Sequence, residues 1–235
     1  MRIRCVWEHN GNDTLMYSDN YIGAFTRGKT KEIALAKMQQ EVKTYLDWKG
    51  EIVPESMTTE IVQQKDSTLQ ICDADSDVLF DEEKKPLSIE EYTQLKELAL
   101  KSAKDFLKLY NEIPEKDKSI LPKRKTFYGD VPRTANEMYE HTKNVNSYYF
   151  GEIGVEVDND ATIFECRKKG FELLEQNLNY LNNRVVIGSY NELWSLRKVL
   201  RRFIWHDRIH AKAMYKMAMK TFDKESIDNV FKLIL

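Results

Sequence analysis

The chain has four histidines, His9, His141, His206 and His210, and the last three carry its clearest chemical signal. His206 and His210 stand four residues apart. On a helix that spacing puts their Cβ atoms on one face, roughly 5–6 Å from each other. Two imidazoles so placed can converge on one divalent ion, as in zinc-binding helices. Four histidines scattered at random through the chain would form such a pair about one time in twenty, so the spacing carries weight. His141 falls in a different helical segment. A third imidazole from a facing helix would complete a three-ligand set and leave a coordination position open, whereas structural zinc is usually closed by four protein ligands. The spacing therefore nominates His141, His206 and His210 as ligands of a divalent metal ion. His9 lies in the turn signal His9-Asn10-Gly11-Asn12-Asp13 and reads as structural or exposed.

The phase of these residues against the apolar pattern decides which way they face. Around His141 the apolar stripe is Met138, Val145 and Tyr148, and His141 sits within it at helical spacing. Around the pair the stripe is Leu196, Val199, Phe203, Ala213, Met214 and Met217, with His206 and His210 between Phe203 and Ala213. All three rings are expected to point into a core. Burying imidazole among apolar groups is unfavourable unless its nitrogens find partners, and a metal ion would be one. Asp207 and Tyr139 are neighbours able to hydrogen-bond to the ligands, but each is expected on a solvated face. The basic run Arg197, Lys198, Arg201, Arg202 also reads as a solvated face, although Leu196, Val199 and Leu200 interleave with it at core spacing.

The elements that must hold these residues are legible from caps and breakers. Ser88 with Glu91 forms a capping box that opens a helix over about 88–111. Pro114, Pro122 and Pro132 punctuate a long connection. Thr134 with Glu137 forms a second box, opening a helix over about 134–150. A third helix is expected over 161–182. A fourth starts near Ser189 or Ser195 and runs to about 222, with a short amphipathic tail over 226–235. Four amphipathic helices without alternating apolar runs predict an all-α four-helix bundle over residues 86–235.

The residues ahead of it read differently. Short strands are expected over 2–7, 14–17, 58–62 and 68–72. A helix over 30–48 is marked by Ile33, Ala36, Val42 and Leu46 and stopped by Gly50. This is a small α+β unit over residues 1–80, of order β-β-α-β with a further strand after it. Residues 73–85 form an acidic linker. Asp73, Asp75 and Asp77 resemble the start of a calcium loop, but Val78 stands where its glycine should be and Lys84 where its bidentate glutamate should be. The segment is expected to be a solvated acidic turn.

Composition narrows the function classes. The 36 basic and 38 acidic residues are mixed along the chain, for a net charge of -2, which gives no electrostatic case for binding nucleic acid or a membrane surface. No apolar run is long enough to span a bilayer, and the N-terminus has no apolar signal core. The three cysteines, Cys5, Cys72 and Cys166, are widely spaced and odd in number. That suits a reducing cytoplasm, with each cysteine a small buried hydrophobe. Phosphate-binding glycine loops, serine-nucleophile elbows and paired-cysteine motifs are missing from the sequence.

Two stretches resemble known families. Arg133-Thr134-Ala135-Asn136-Glu137-Met138-Tyr139-Glu140-His141 resembles the second-helix motif of the DinB-like family. Ser195-Leu196-Arg197-Lys198-Val199-Leu200-Arg201-Arg202, followed by Trp205-His206-Asp207-Arg208-Ile209-His210, resembles its fourth-helix motif. The resemblance implies a bundle with one long crossover, often dimeric. It also implies a metal, commonly zinc or nickel, on three histidines matching His141, His206 and His210. Members with known activity are transferases or isomerases that use the metal and a low-molecular-weight thiol on a small electrophile. The stretch Gly23-Ala24-Phe25-Thr26-Arg27-Gly28-Lys29-Thr30, with the helix after it, resembles the HicB-like fold. In HicB antitoxins that unit pairs with a small toxin and precedes a DNA-binding segment. Here a helical bundle follows, so an antitoxin role is not expected. Two functions stay open: a metal-dependent thiol transferase, or a non-catalytic interaction protein whose metal is structural or vestigial.

Overall fold

The computed structural model describes residues 1–126, 129–222 and 227–234. Strand β1 (Arg2–His9) pairs antiparallel with β2 (Thr14–Ser18), and β2 with β3 (Phe25–Gly28). Helix α1 (Lys31–Lys49) then crosses over to β4 (Thr58–Asp66), which runs parallel to β1 and completes a sheet of order β3-β2-β1-β4. The Thr30 side chain accepts from the Ile33 backbone N–H and starts α1. Gly50, at φ 74°, takes the left-handed conformation that ends it.

The expected β-β-α-β order is corrected in two places. β3 is an extra strand before α1, only four residues long and so too short to show a period. Residues 68–72 form no strand; a single 3-10 turn, Ile71–Asp73, stands there. Ile71 is the one fully buried side chain in that stretch, so no apolar face drives pairing.

Among the described residues four further helices follow: α2 (Ile89–Glu112), α3 (Ala135–Gly151), α4 (Ile163–Leu174) and α5 (Leu196–Thr221). α5 and α4 each pack against both α2 and α3, so the four form a ring in which α2 and α3 lie across a diagonal. Spanning that diagonal is why residues 113–134 are long. Capping boxes open α2, α3 and α4, through Ser88/Glu91, Thr134/Glu137 and Thr162/Glu165. The third helix ends at Leu174, well short of the expected 182. Beyond it Asn177 accepts from the Asn179 backbone through its own side chain, the local competition by which asparagine breaks helices. The expectation of no strand after residue 86 is also corrected. Among the described residues two two-residue ladders occur, β5 (Lys125–Thr126) with β6 (Gly129–Asp130), and β7 (Val186–Ile187) with β8 (Leu193–Trp194). The architecture is mixed α+β.

One apolar core runs through sheet and bundle alike, from Ile3 and Met16 through Phe106, Phe150 and Phe203 to Phe231. A second cluster joins Val6, Tyr17 and Phe25 of the sheet to Val78, Phe80 and Trp205. Residues 73–85 are therefore no solvated turn: Ser76, Val78, Leu79, Phe80 and Glu83 are buried between the sheet and α5. With the bundle on one side and this segment on the other, α5 has little free surface. The basic run is buried accordingly, Lys198 and Arg201 at 0% and 1% exposure. Arg201 pairs with Glu83, while Arg202 and Lys198 both reach Glu192, at 2.8 and 2.7 Å. Burial of charge is tolerated here because each cation has a carboxylate and backbone carbonyls to replace water. Cys5 and Cys166 are buried as expected, Cys72 is exposed, and all three are free thiols. Among the described residues no helix is long and apolar enough to cross a membrane.

Candidate metal centre

His141 sits near the middle of α3, and His206 and His210 stand one turn apart on α5, which packs against it. The three rings meet. Their centroids are 5.1 Å apart for His141 and His206, 4.6 Å for His141 and His210, and 4.4 Å for His206 and His210. One nitrogen from each ring falls within 4.8 Å of the other two. Three points so placed lie within about 2.8 Å of a common centre, against roughly 2.0–2.1 Å for a zinc–imidazole bond, so a side-chain movement below about 1 Å closes the set. Among the described residues no cysteine or carboxylate joins the cluster. His206 is buried as expected and His210 half-buried, but His141, expected to point into the core, is exposed at the rim, so the set opens outward along α3.

The electrostatics favour free lone pairs. Burial pushes the His206 imidazole well below its usual range, helped by the neighbouring His210 and His141. Burial and His141 push His210 down to about 3. Burial lowers His141 as well. All three are neutral at neutral pH, the form in which imidazole binds a metal. The Nδ1 of His206 is buried with no hydrogen-bond partner, and an orphaned buried nitrogen of that kind costs about 1–3 kcal/mol. A divalent ion shared by the three rings would take one nitrogen from each. The donor set therefore fits a metal with affinity for nitrogen, zinc and nickel included.

Side chains next to the histidines fix the setting of α5. Asp207, expected in solvent, is fully buried and accepts from Arg167 of α4 and Ser102 of α2. Arg167 also donates to Asn146 of α3 at 3.0 Å, and its guanidinium lies 4.3 Å from the Phe203 ring centroid. This network touches all four bundle helices. Arg208, the next residue, points to the sheet unit, where it meets Glu41 at 2.7 Å and packs on the rings of Tyr45 and Trp48. Residues 206, 207 and 208 thus project in three directions: to the centre, to the bundle and to α1. Tyr139, also expected in solvent, is buried, and its hydroxyl accepts from the Ile163 backbone N–H. Tyr148 of the expected stripe is exposed instead. Arg167 and Glu41 gave no signal in the sequence, since each is one charged residue among many until α5 is packed. His9 stacks on Trp7 at 3.9 Å and lies in the sheet, apart from the centre.

Comparison with protein-family models, with curated proteins and with solved structures finds no match for this chain.

Proposed function

We propose that this chain binds a divalent metal ion, zinc or nickel, on His141, His206 and His210, and that the centre serves transfer of a low-molecular-weight thiol to a small electrophile. The observation that carries the metal reading is the meeting of three neutral imidazoles from two helices, each with one nitrogen within 4.8 Å of the other two. The catalytic reading is supported by the lack of a fourth protein ligand in the cluster among the described residues, and by the cavity beside His141. When bound, the metal would lower the pKa of a coordinated thiol and so supply a nucleophile at neutral pH. The chain's own residues hold the three imidazoles neutral, keep α5 in register through Asp207 and Arg208, and exclude water from the inner side with Tyr149 and Trp205, which flank His206 at 6.0 and 6.2 Å.

The test compares purified wild-type protein with His206→Ala. Wild type is expected to hold a single divalent ion and to couple a thiol to a small electrophile. The variant is expected to lose both while its melting temperature falls only modestly. Wild-type protein with no affinity for zinc or nickel would end the metal reading. Tight binding with no thiol-dependent activity, and unfolding on chelation, would make the metal structural, because binding and folding are then one process.

A further inference from the structure

His141, the outermost of the three histidines, also lines a larger space. This cavity, of about 390 Å³, is lined by Lys123, Arg124, Asp130, Arg133, Glu137 and His141, with Val131 and Pro132. That size falls in the range of small-molecule sites, which run from about 300 to 1,000 Å³. The charges around it are not equally available. The Glu137 carboxylate accepts from the Arg133 and Thr134 backbone N–H groups at 2.8 and 3.1 Å, so it is engaged in starting α3, where the helix dipole also offsets its charge. Asp130 is exposed and lies 3.7 Å from Lys125. Arg124 pairs with Asp73 at 2.8 Å. The side chains of Lys123 and Arg133 have neither a hydrogen bond nor an ion pair among the described residues. Two cations are therefore left facing a concave space whose remaining wall is a candidate metal ligand. A guanidinium presents a planar fork of donors that matches a carboxylate or phosphate, and an ammonium adds a point charge.

We propose that the small molecule handled at this centre carries an anionic group, held between Arg133 and Lys123 while another part of it reaches the metal on the three histidines. The inference rests on the metal-centre reading and adds the charge of the ligand to it. It makes Arg133 a specificity residue, selecting for a negative group on one side of the centre.

The experiment uses the full chain loaded with cobalt(II), whose visible spectrum reports the coordination of the ion. Three thiols of similar size and different charge serve as probes: 3-mercaptopropionate, 2-mercaptoethanol and 2-mercaptoethylamine. The expected order is the carboxylate first, tighter than the neutral thiol by on the order of tenfold as befits a charge-assisted hydrogen bond, with the amine weakest. Arg133→Gln is expected to bring 3-mercaptopropionate down to the level of 2-mercaptoethanol while binding of 2-mercaptoethanol stays as in wild type. That unchanged control separates a lost subsite from a damaged fold. Equal binding of the three thiols by cobalt-loaded wild type, or an unaltered order in Arg133→Gln, would overturn the anion site and leave the metal centre standing. Failure to take up cobalt would overturn the metal reading and this inference with it. Cobalt uptake with no spectral response to any thiol would overturn the thiol reading and the anion site together.

Discussion

At the scale of single residues, the environment of a side chain decides its role more than its type does. Three imidazoles stay neutral because burial makes each added proton costly, and for His206 and His210 a neighbouring histidine adds to that cost. That has a consequence for pH. A histidine whose pKa is lower in the folded than in the unfolded chain is protonated first in the unfolded chain as pH falls, so acid favours unfolding. Metal-free protein is expected to lose stability as pH falls from the ordinary histidine value of 6.5, with the contribution of His210 fully lost near its folded value of about 3. Urea titrations between these limits check it, and His210→Gln should flatten the slope. The Arg167–Asp207 pair makes a second prediction. Removing one partner of a buried pair leaves a buried charge uncompensated, at a cost of about 3–5 kcal/mol. Asp207→Ala is expected to lose that much stability in denaturant unfolding, more than His206→Ala loses, although both stand on one turn of α5.

At the scale of elements, the centre depends on two helices being held in phase. α3 starts at a capping box whose glutamate also takes the Arg133 backbone N–H, so the box fixes both the helix that carries His141 and the backbone of the cavity wall. Thr134→Ala is expected to cost about 1 kcal/mol in thermal or urea unfolding. It should also weaken metal binding measurably, because fraying here moves His141. The equivalent change at the start of α2, Ser88→Ala, should cost similar stability and leave metal affinity alone. α5 is set differently, by charges on two sides. Its basic run reads as a solvent face by composition, yet segment 73–85 lies over it and provides Glu83 and the carbonyls of Ser76, Asp77 and Val78.

At the scale of the whole molecule, sheet and bundle share a core, and Gly23 marks how closely they meet. At φ 96° it adopts a conformation that side chains disfavour, and a Cβ there would lie 2.3 Å from Cγ2 of Ile204 on α5. Arg208 and Glu41 tie the same helix to α1. The expected outcome is one cooperative unfolding transition. Tryptophan fluorescence, which samples Trp7 and Trp48 of the sheet unit with Trp194 and Trp205 beside the bundle, should coincide with loss of helical circular dichroism. Two separated transitions would show that the shared core does not couple them.

The sequence by itself determined what local rules govern. The capping boxes at Ser88 and Thr134, the stop at Gly50 and the two-strand start follow from side chains acting on nearby backbone, and all are legible without a fold. The inward phase of His206 was legible for the same reason, since a helix with an apolar stripe fixes which way each residue points, whereas His141, read from its stripe as a core residue, is exposed at the rim. Tertiary structure decided the rest. β3 exists because β2 offers it a partner, and residues 68–72 lack one. Lys198, Arg201 and Asp207 are inside because α5 is covered on both faces, and burial of an ion is set by what packs over it, not by its own chemistry. Only packing could bring His141 within reach of His206 and His210, place Lys123 and Arg133 around one cavity with His141, and leave the side chains of those two cations without partners among the described residues.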